Sequence, residues 1–269
     1  MKILNKKFNF LLPIKVKNLI RLGRNFDGGY LVCADTLDNC KNLVTFGVGD
    51  DTSFERDLDK LKKLENIHLY DYTVSFKLFF YIILKYTRRF ITLRAKASNI
   101  IDSINNFLNF KEFIAQPNVK LFKEKVVLKI NEKNNINLDQ IFSRLKNKNN
   151  SLVKMDIEGG EYEIIDKLIE YHNNIEMLII EFHWINNNKD IFEESIKKLN
   201  DKFKIIHLHV NNYNPPVEGD YFFNVIEVSF IKKKDVKDSN EEYRYQFPID
   251  KLDFECKKDG PAIKFSFSS

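Results

Sequence analysis

Apolar residues fall in short continuous runs, and between the runs they recur every three or four positions. The run at 43–48 ends on glycine and predicts a buried strand. Thr52-Ser53-Phe54-Glu55 has capping-box spacing, with Thr52 as N-cap and Glu55 at the third helical position. Phe54, Leu58 and Leu61 then mark one face of a helix. Runs at 67–70, 152–155, 177–182, 203–210 and 222–231 predict further strands, with helices over 161–171 and 191–199 between them. Pro215-Pro216 and Glu218-Gly219-Asp220 signal turns before the last strand. Strands alternating with helices predict a mostly parallel sheet with helices on both faces. Only a loop joins the final two strands, so they are expected to pair antiparallel.

Two segments stand outside this alternation: 1–42, expected to cap the domain, and 74–118, an insertion after the second strand. In the insertion, residues 76–93 mix Phe, Tyr, Ile and Leu with Lys77, Lys85, Arg88 and Arg89. The expected reading is a lid helix packed on the domain. The alternative is a basic amphipathic helix in contact with a membrane. A chain of 269 residues with 43% apolar residues can bury a large core, so a single α/β domain over 1–269 is expected. The net charge of +5 is small for this length and gives little support for nucleic acid as a partner. It suits an enzyme for a phosphorylated small molecule equally well. Cys33, Cys40 and Cys256 lack metal or disulfide spacing. No secretion signal or membrane span is apparent, so a cytoplasmic protein is expected.

The chemistry gathers at predicted strand ends. Gly47 and Gly49 close the first strand, and Asp71 closes the second. This is the arrangement of a β-α-β nucleoside site, in which glycines let the backbone approach the ligand and the carboxylate accepts from ribose. A dinucleotide fingerprint wants a third glycine where Thr52 stands, and Asp50 and Asp51 would repel a pyrophosphate. Acidic residues there suit the ammonium and sulfonium of S-adenosylmethionine. Gly47, Gly49, Asp50, Asp71 and the adjacent Tyr72 form the expected cofactor set. Asp156 ends a later strand, Glu181 and His183 the next, and His207 and His209 share a face on the one after, followed by Asn211 and Asn212. Asp156, His183 and His209 are the candidate catalytic residues, with an imidazole as general base. Asp156, Glu181 and His183 are a candidate set for Mg²⁺ or Mn²⁺. Arg24, Asp27, Glu158, Asn211 and Asn212 are the candidate substrate contacts.

Four blocks carry a resemblance. Gly23-Arg24-Asn25-Phe26-Asp27-Gly28-Gly29-Tyr30, Phe46-Gly47-Val48-Gly49-Asp50-Asp51-Thr52-Ser53-Phe54-Glu55, Lys154-Met155-Asp156-Ile157-Glu158-Gly159-Gly160-Glu161 and Ile180-Glu181-Phe182-His183 resemble, in order, the FkbM-type family of S-adenosylmethionine-dependent O-methyltransferases. The Asp-x-Glu-Gly-x-Glu block is the sharpest, and the length of the insertion is the main departure. The resemblance implies the Rossmann-like class I methyltransferase fold, with seven strands of which the last is antiparallel. It implies a hydroxyl acceptor on a sugar or another secondary metabolite. A nucleotide-activated sugar or a surface-polysaccharide precursor is the expected substrate. By analogy with some class I O-methyltransferases, a metal would sit on the carboxylates of two adjacent strand ends. Competing readings are an NAD-dependent sugar oxidoreductase and a non-catalytic methyltransferase-like module that docks on membranes.

Overall fold

Strands that are apolar on both faces need cover on both faces, and the chain supplies it. The computed structural model describes residues 1–213, 221, 223–236, 246–257 and 260–268. Its central sheet has seven strands, numbered here β1 (Asn42–Phe46), β2 (Asn66–Tyr70), β3 (Val119–Phe122), β4 (Ser151–Met155), β5 (Ile175–Phe182), β6 (Phe203–Val210) and β7 (Ile226–Lys232). Their order across the sheet is β3-β2-β1-β4-β5-β7-β6. β7 runs antiparallel to both of its neighbours, and the other pairings are parallel.

β7 is the last strand of this sheet but not of the chain, because Phe265–Phe267 pairs in parallel with Lys2–Leu4 in a separate two-stranded sheet. The edge strand β3 has no counterpart among the runs read from sequence; at four residues, with Lys120 inside it, its pattern is too short to stand out. The turn signals at 215–216 and 218–220 lie outside the described residues, as does Phe222 at the start of the last predicted strand.

Side-chain alternation splits the core into two layers. Val44, Phe46, Val153, Met155, Leu178 and Ile180 face α4 (Glu161–Glu170) and α5 (Lys189–Lys202) through Ile165, Leu168, Phe192 and Ile196. Leu43, Leu152, Met177 and Ile179 point the other way, toward Phe54 and Leu58 of α1 (Ser53–Lys62). The insertion contains two helices, α2 (Phe76–Ile91) and α3 (Ala97–Ile114). Phe110 and Phe113 of α3 enter the α1-side core, and Phe79 of α2 packs on Phe107 and Phe110.

One local expectation fails. Thr52 stands at the N-cap of α1, but its hydroxyl is buried without a partner. Asp51 makes the cap instead, accepting from the Ser53 amide at 3.0 Å and the Ser53 hydroxyl at 2.7 Å. Glu55 is drawn away into the core, where its Oε1 accepts from Thr45 and lies 3.6 Å from the Lys154 ammonium. A lysine inside a buried strand needs a carboxylate partner, and that need outweighs a cap bond worth about 1 kcal/mol.

The sheet order reverses between β1 and β4, where an open α/β sheet leaves a crevice beyond the carboxyl ends of its strands. Gly47 lets the two strand ends close up there. Its φ is +76°, and a Cβ at this position would lie 1.7 Å from the carbonyl oxygen of Asp156.

Candidate active site

A cavity of about 330 Å³ opens at this reversal point, between the glycine loop, the 24–30 loop and the end of β4. The loop is held from below. Asp71 Oδ2 accepts from the amides of Val48 and Gly49 at 2.9 and 2.8 Å, and its Oδ1 accepts from the amide and hydroxyl of Thr73 at 2.7 and 2.6 Å. Burial alone would raise the Asp71 pKa; the Thr73 and loop hydrogen bonds hold it below the ordinary carboxylate range. All of its acceptor sites are thereby used by protein donors. Gly49 differs from Gly47: its φ is +60°, and a Cβ there would meet nothing within 4 Å. Its surface is left open to whatever fills the cavity.

From the other side comes the 24–30 loop. Arg21 shapes it, donating to the carbonyls of Arg24 and Phe26 at 2.9 Å each. Arg24 Nε then pairs with Asp51 at 3.1 Å. The acidic lip is therefore partly neutralised, but the cavity as a whole is not. Seven carboxylates line it (Asp27, Asp50, Asp51, Glu55, Asp71, Asp156 and Glu158) against two cations, Arg24 and Lys154. Its field favours a positively charged ligand over a pyrophosphate. Burial opposes the charge on Lys154, yet Glu55 and Asp156 hold its pKa above the usual value.

Next to the cavity stands His183. Its Nδ1 is 3.0 Å from Glu161 Oε1, an oxygen that also accepts from the Ile157 amide. Nε2 faces Asp156 and Glu158 at 3.7 Å each, and Glu181 at 3.8 Å. Burial disfavours the imidazolium, but the Glu161 hydrogen bond and the Glu181 carboxylate outweigh it and push the His183 pKa up to about 9. Burial raises Asp156 to about 6 and Glu181 well above the usual range. Backbone strain brackets the cluster: Glu158 and Trp184, both non-glycine, lie in the left-handed region at φ +55° and +54°.

Of the residues expected from sequence, Gly47, Gly49, Asp50, Asp71, Arg24, Asp27, Asp156 and Glu158 line one cavity. Glu181 and His183 stand behind Asp156, and Asn211 joins them by donating to Glu181 at 2.9 Å. Tyr72 lies outside the cavity, exposed, with Lys125 5.8 Å from its ring. Asn212 instead fastens the C-terminal segment, bonding Lys257 and Pro261. His209 does not reach the cavity either. β7 lies between β5 and β6 and moves the His209 end about one strand spacing, ~5 Å, away from β5. There His207 and His209 contact Asp253 at 3.0 and 3.4 Å.

A cation would find donors here. Asp156, Glu158 and His183 each bring a ligand atom within 4.8 Å of the others, so Glu158, taken from sequence as a substrate contact, joins the candidate set. In the sequence Glu161 stands out only as the last residue of the Asp-x-Glu-Gly-x-Glu block. Its role beside His183 depends on α4 packing under the end of β5, which no spacing reveals. Lys154 was legible in principle, as a charge inside an apolar run.

A methyltransferase FkbM domain model matches residues 34–214. The chain belongs to the FkbM methyltransferase family. Its members are S-adenosylmethionine-dependent methyltransferases, and the seven-stranded sheet is their Rossmann-like α/β fold. Among solved structures, this family member is similar to precorrin-6y C5,15-methyltransferase from Geobacter metallireducens, with 13% identity over 74% of this chain and 87% of that one and a TM-score of 0.36. It is also similar to spermidine synthase from Thermotoga maritima, with 10% identity, 74% and 55% coverage and a TM-score of 0.39. TYW2 from M. jannaschii, crystallised with AdoMet, shows 12% identity, 74% and 73% coverage and a TM-score of 0.34. A comparison with curated proteins gave no match.

Proposed function

We propose that this FkbM methyltransferase transfers the methyl group of S-adenosylmethionine to a hydroxyl of a sugar, carried on a nucleotide or as a surface-polysaccharide precursor. The observation that carries this reading is a second cleft, of about 860 Å³, that adjoins the acidic cavity and shares Arg24 and Asp50 with it. Asn99, Asn105, Asn106 and Asn109 supply amides for sugar hydroxyls, and Tyr86 and Tyr213 supply ring faces. Arg24, Arg56, Lys85 and Lys257 supply positive charge for a phosphate. Asn106 ties the two spaces together, donating to the carbonyl oxygen of Asp50 at 2.6 Å.

Residues of the first cavity divide the work. Gly47 lets β1 and β4 close up beneath the site, Gly49 lets the backbone approach the cofactor, Asp71 keeps the loop in shape, and the carboxylates favour its positive charge. When bound, the sulfonium supplies an electrophilic methyl group and leaves as a neutral thioether. Asp156, on the cavity wall, orients the acceptor hydroxyl. His183 Nε2, 3.7 Å behind the Asp156 carboxylate, takes the proton, and Glu161 stabilises the imidazolium that forms. A divalent ion held by Asp156, Glu158 and His183 would instead lower the pKa of the hydroxyl.

The test is transfer of labelled methyl from S-adenosylmethionine to a panel of nucleotide sugars and phosphorylated glycans. Label in a base-stable methyl ether is expected. Label found only in nitrogen- or carbon-methylated products would overturn the acceptor assignment. Full activity after chelation would leave His183 as the base and remove the metal.

A further inference from the structure

Each of the two insertion helices leaves an apolar face uncovered. On α2, Phe80 is 69% exposed, Tyr81 62% and Ile91 73%, with Leu84 on the same face. These positions are spaced by three, four and seven residues, so they form one stripe along the helix. Leu93, in the connection to α3, is 92% exposed, and Ile101, Ile104 and Leu108 carry an exposed stripe along α3. The helices turn inward through few residues, chiefly Phe79, Phe107, Phe110 and Phe113. Contiguous apolar surface of this kind on a folded domain marks a surface that something covers.

Charge identifies the cover. Between Asp71 and Asp102 the chain has six cations, Lys77, Lys85, Arg88, Arg89, Arg94 and Lys96, and no carboxylate. Lys77, Lys85, Arg88 and Arg89 are exposed on α2 among the apolar residues. Asp102 and Glu112 are the carboxylates of α3, and Asp102 lines the 860 Å³ cleft. Aromatic and aliphatic side chains flanked by long basic ones are what a helix needs to lie at the boundary between lipid headgroups and acyl chains. The stems of lysine and arginine lie along the apolar layer while their charged ends reach the headgroups. A second copy of the chain is the poorer fit, since a two-fold contact through this face would set the same cations against each other. No helix among the described residues is long and apolar enough to cross a membrane, so contact would be peripheral.

We infer that the α2–α3 hairpin is a docking surface for an anionic lipid bilayer. This inference stands apart from the identity of the methyl acceptor. It does bear on delivery, because Ile82, Lys85 and Tyr86 of the same α2 wall the large cleft. Docking would bring the cleft to the membrane surface.

Co-sedimentation of the full chain with vesicles tests it, using phosphatidylcholine alone and phosphatidylcholine mixed with phosphatidylglycerol. Binding is expected to the mixed vesicles and to weaken steeply as salt rises. The double substitution Arg88→Glu, Arg89→Glu is expected to weaken it at least about tenfold. Phe80→Ser with Leu84→Ser is expected to weaken it comparably, with circular dichroism and S-adenosylhomocysteine binding unchanged in both variants. Sedimentation velocity without lipid is expected to show no self-association through this face. Failure of the unaltered chain to bind the mixed vesicles, equal binding to both vesicle types, or a dimer abolished by these same substitutions would each overturn the inference. Loss of S-adenosylhomocysteine binding in the unaltered chain would instead count against the methyltransferase reading.

Discussion

Single residues divide into those whose role follows from type and position and those whose partners only folding supplies. Gly47, Asp71, Asp156 and His183 belong to the first group: a glycine, a carboxylate or an imidazole at a strand end has few other uses. Glu161 and the Lys154–Glu55 pair belong to the second, because their partners come from other elements. The Asp71 geometry makes it a loop-shaping residue first. Asp71→Ala should weaken S-adenosylhomocysteine binding by about tenfold through loss of the two loop hydrogen bonds. Asp71→Asn, which keeps one acceptor oxygen, should lose less; a thermal-shift titration of the ligand would rank them. His183 makes a prediction about pH. With its pKa at about 9 in the free protein, it is protonated at neutral pH and becomes a base only as pH rises. The ratio kcat/KM should therefore climb from pH 7 toward 9. Glu161→Gln removes a carboxylate that favours the imidazolium, so it should move the midpoint to lower pH while reducing the plateau. An unmoved midpoint in that variant would separate Glu161 from the base.

Elements were read well where hydrophobic runs were long and poorly where they were short. The runs behind β1, β2, β4, β5, β6 and β7 were all legible. β3 was not, and neither was α3, whose many asparagines dilute its period. The position of β7 between β5 and β6 decided which histidine reaches the site, and no local pattern encodes that placement. Two substitutions test how elements are joined. At Gly47, alanine would drive a Cβ into the Asp156 carbonyl at the junction of β1 and β4. Gly47→Ala should cost about 3 kcal/mol in urea unfolding and abolish cofactor binding. The C-terminal segment is held against β6 by Asp253, which also accepts from the Ile249 amide at 2.7 Å. Burial works against the Asp253 charge, but His207 and His209 hold its pKa well below the usual range. A depressed carboxylate pKa gives stability that is present above about pH 4 and lost as pH falls through the folded value. Asp253→Asn should cost about 3 kcal/mol near neutral pH, and the difference from the unaltered protein should shrink in acid.

At the scale of the whole molecule, sheet order, cavity and charge converge on one place. The reversal between β1 and β4 opens the crevice, Gly47 lets its walls meet, and seven carboxylates set its field. The sequence alone pointed to an acidic lip at Asp50 and Asp51. Folding spends Asp51 on Arg24 and Ser53 and draws the negative charge from deeper residues instead. The preference for a cation therefore survives on different side chains. The insertion adds a second cleft and an uncovered basic face, neither of which the core fold requires. The most direct test of the central claim is a crystal structure of the full chain with S-adenosylhomocysteine. The ligand is expected in the 330 Å³ cavity, with its backbone-facing side on Gly49 and its sulfur toward Asp156. A ligand seated elsewhere, or a cavity that takes a nicotinamide nucleotide in its place, would contradict it.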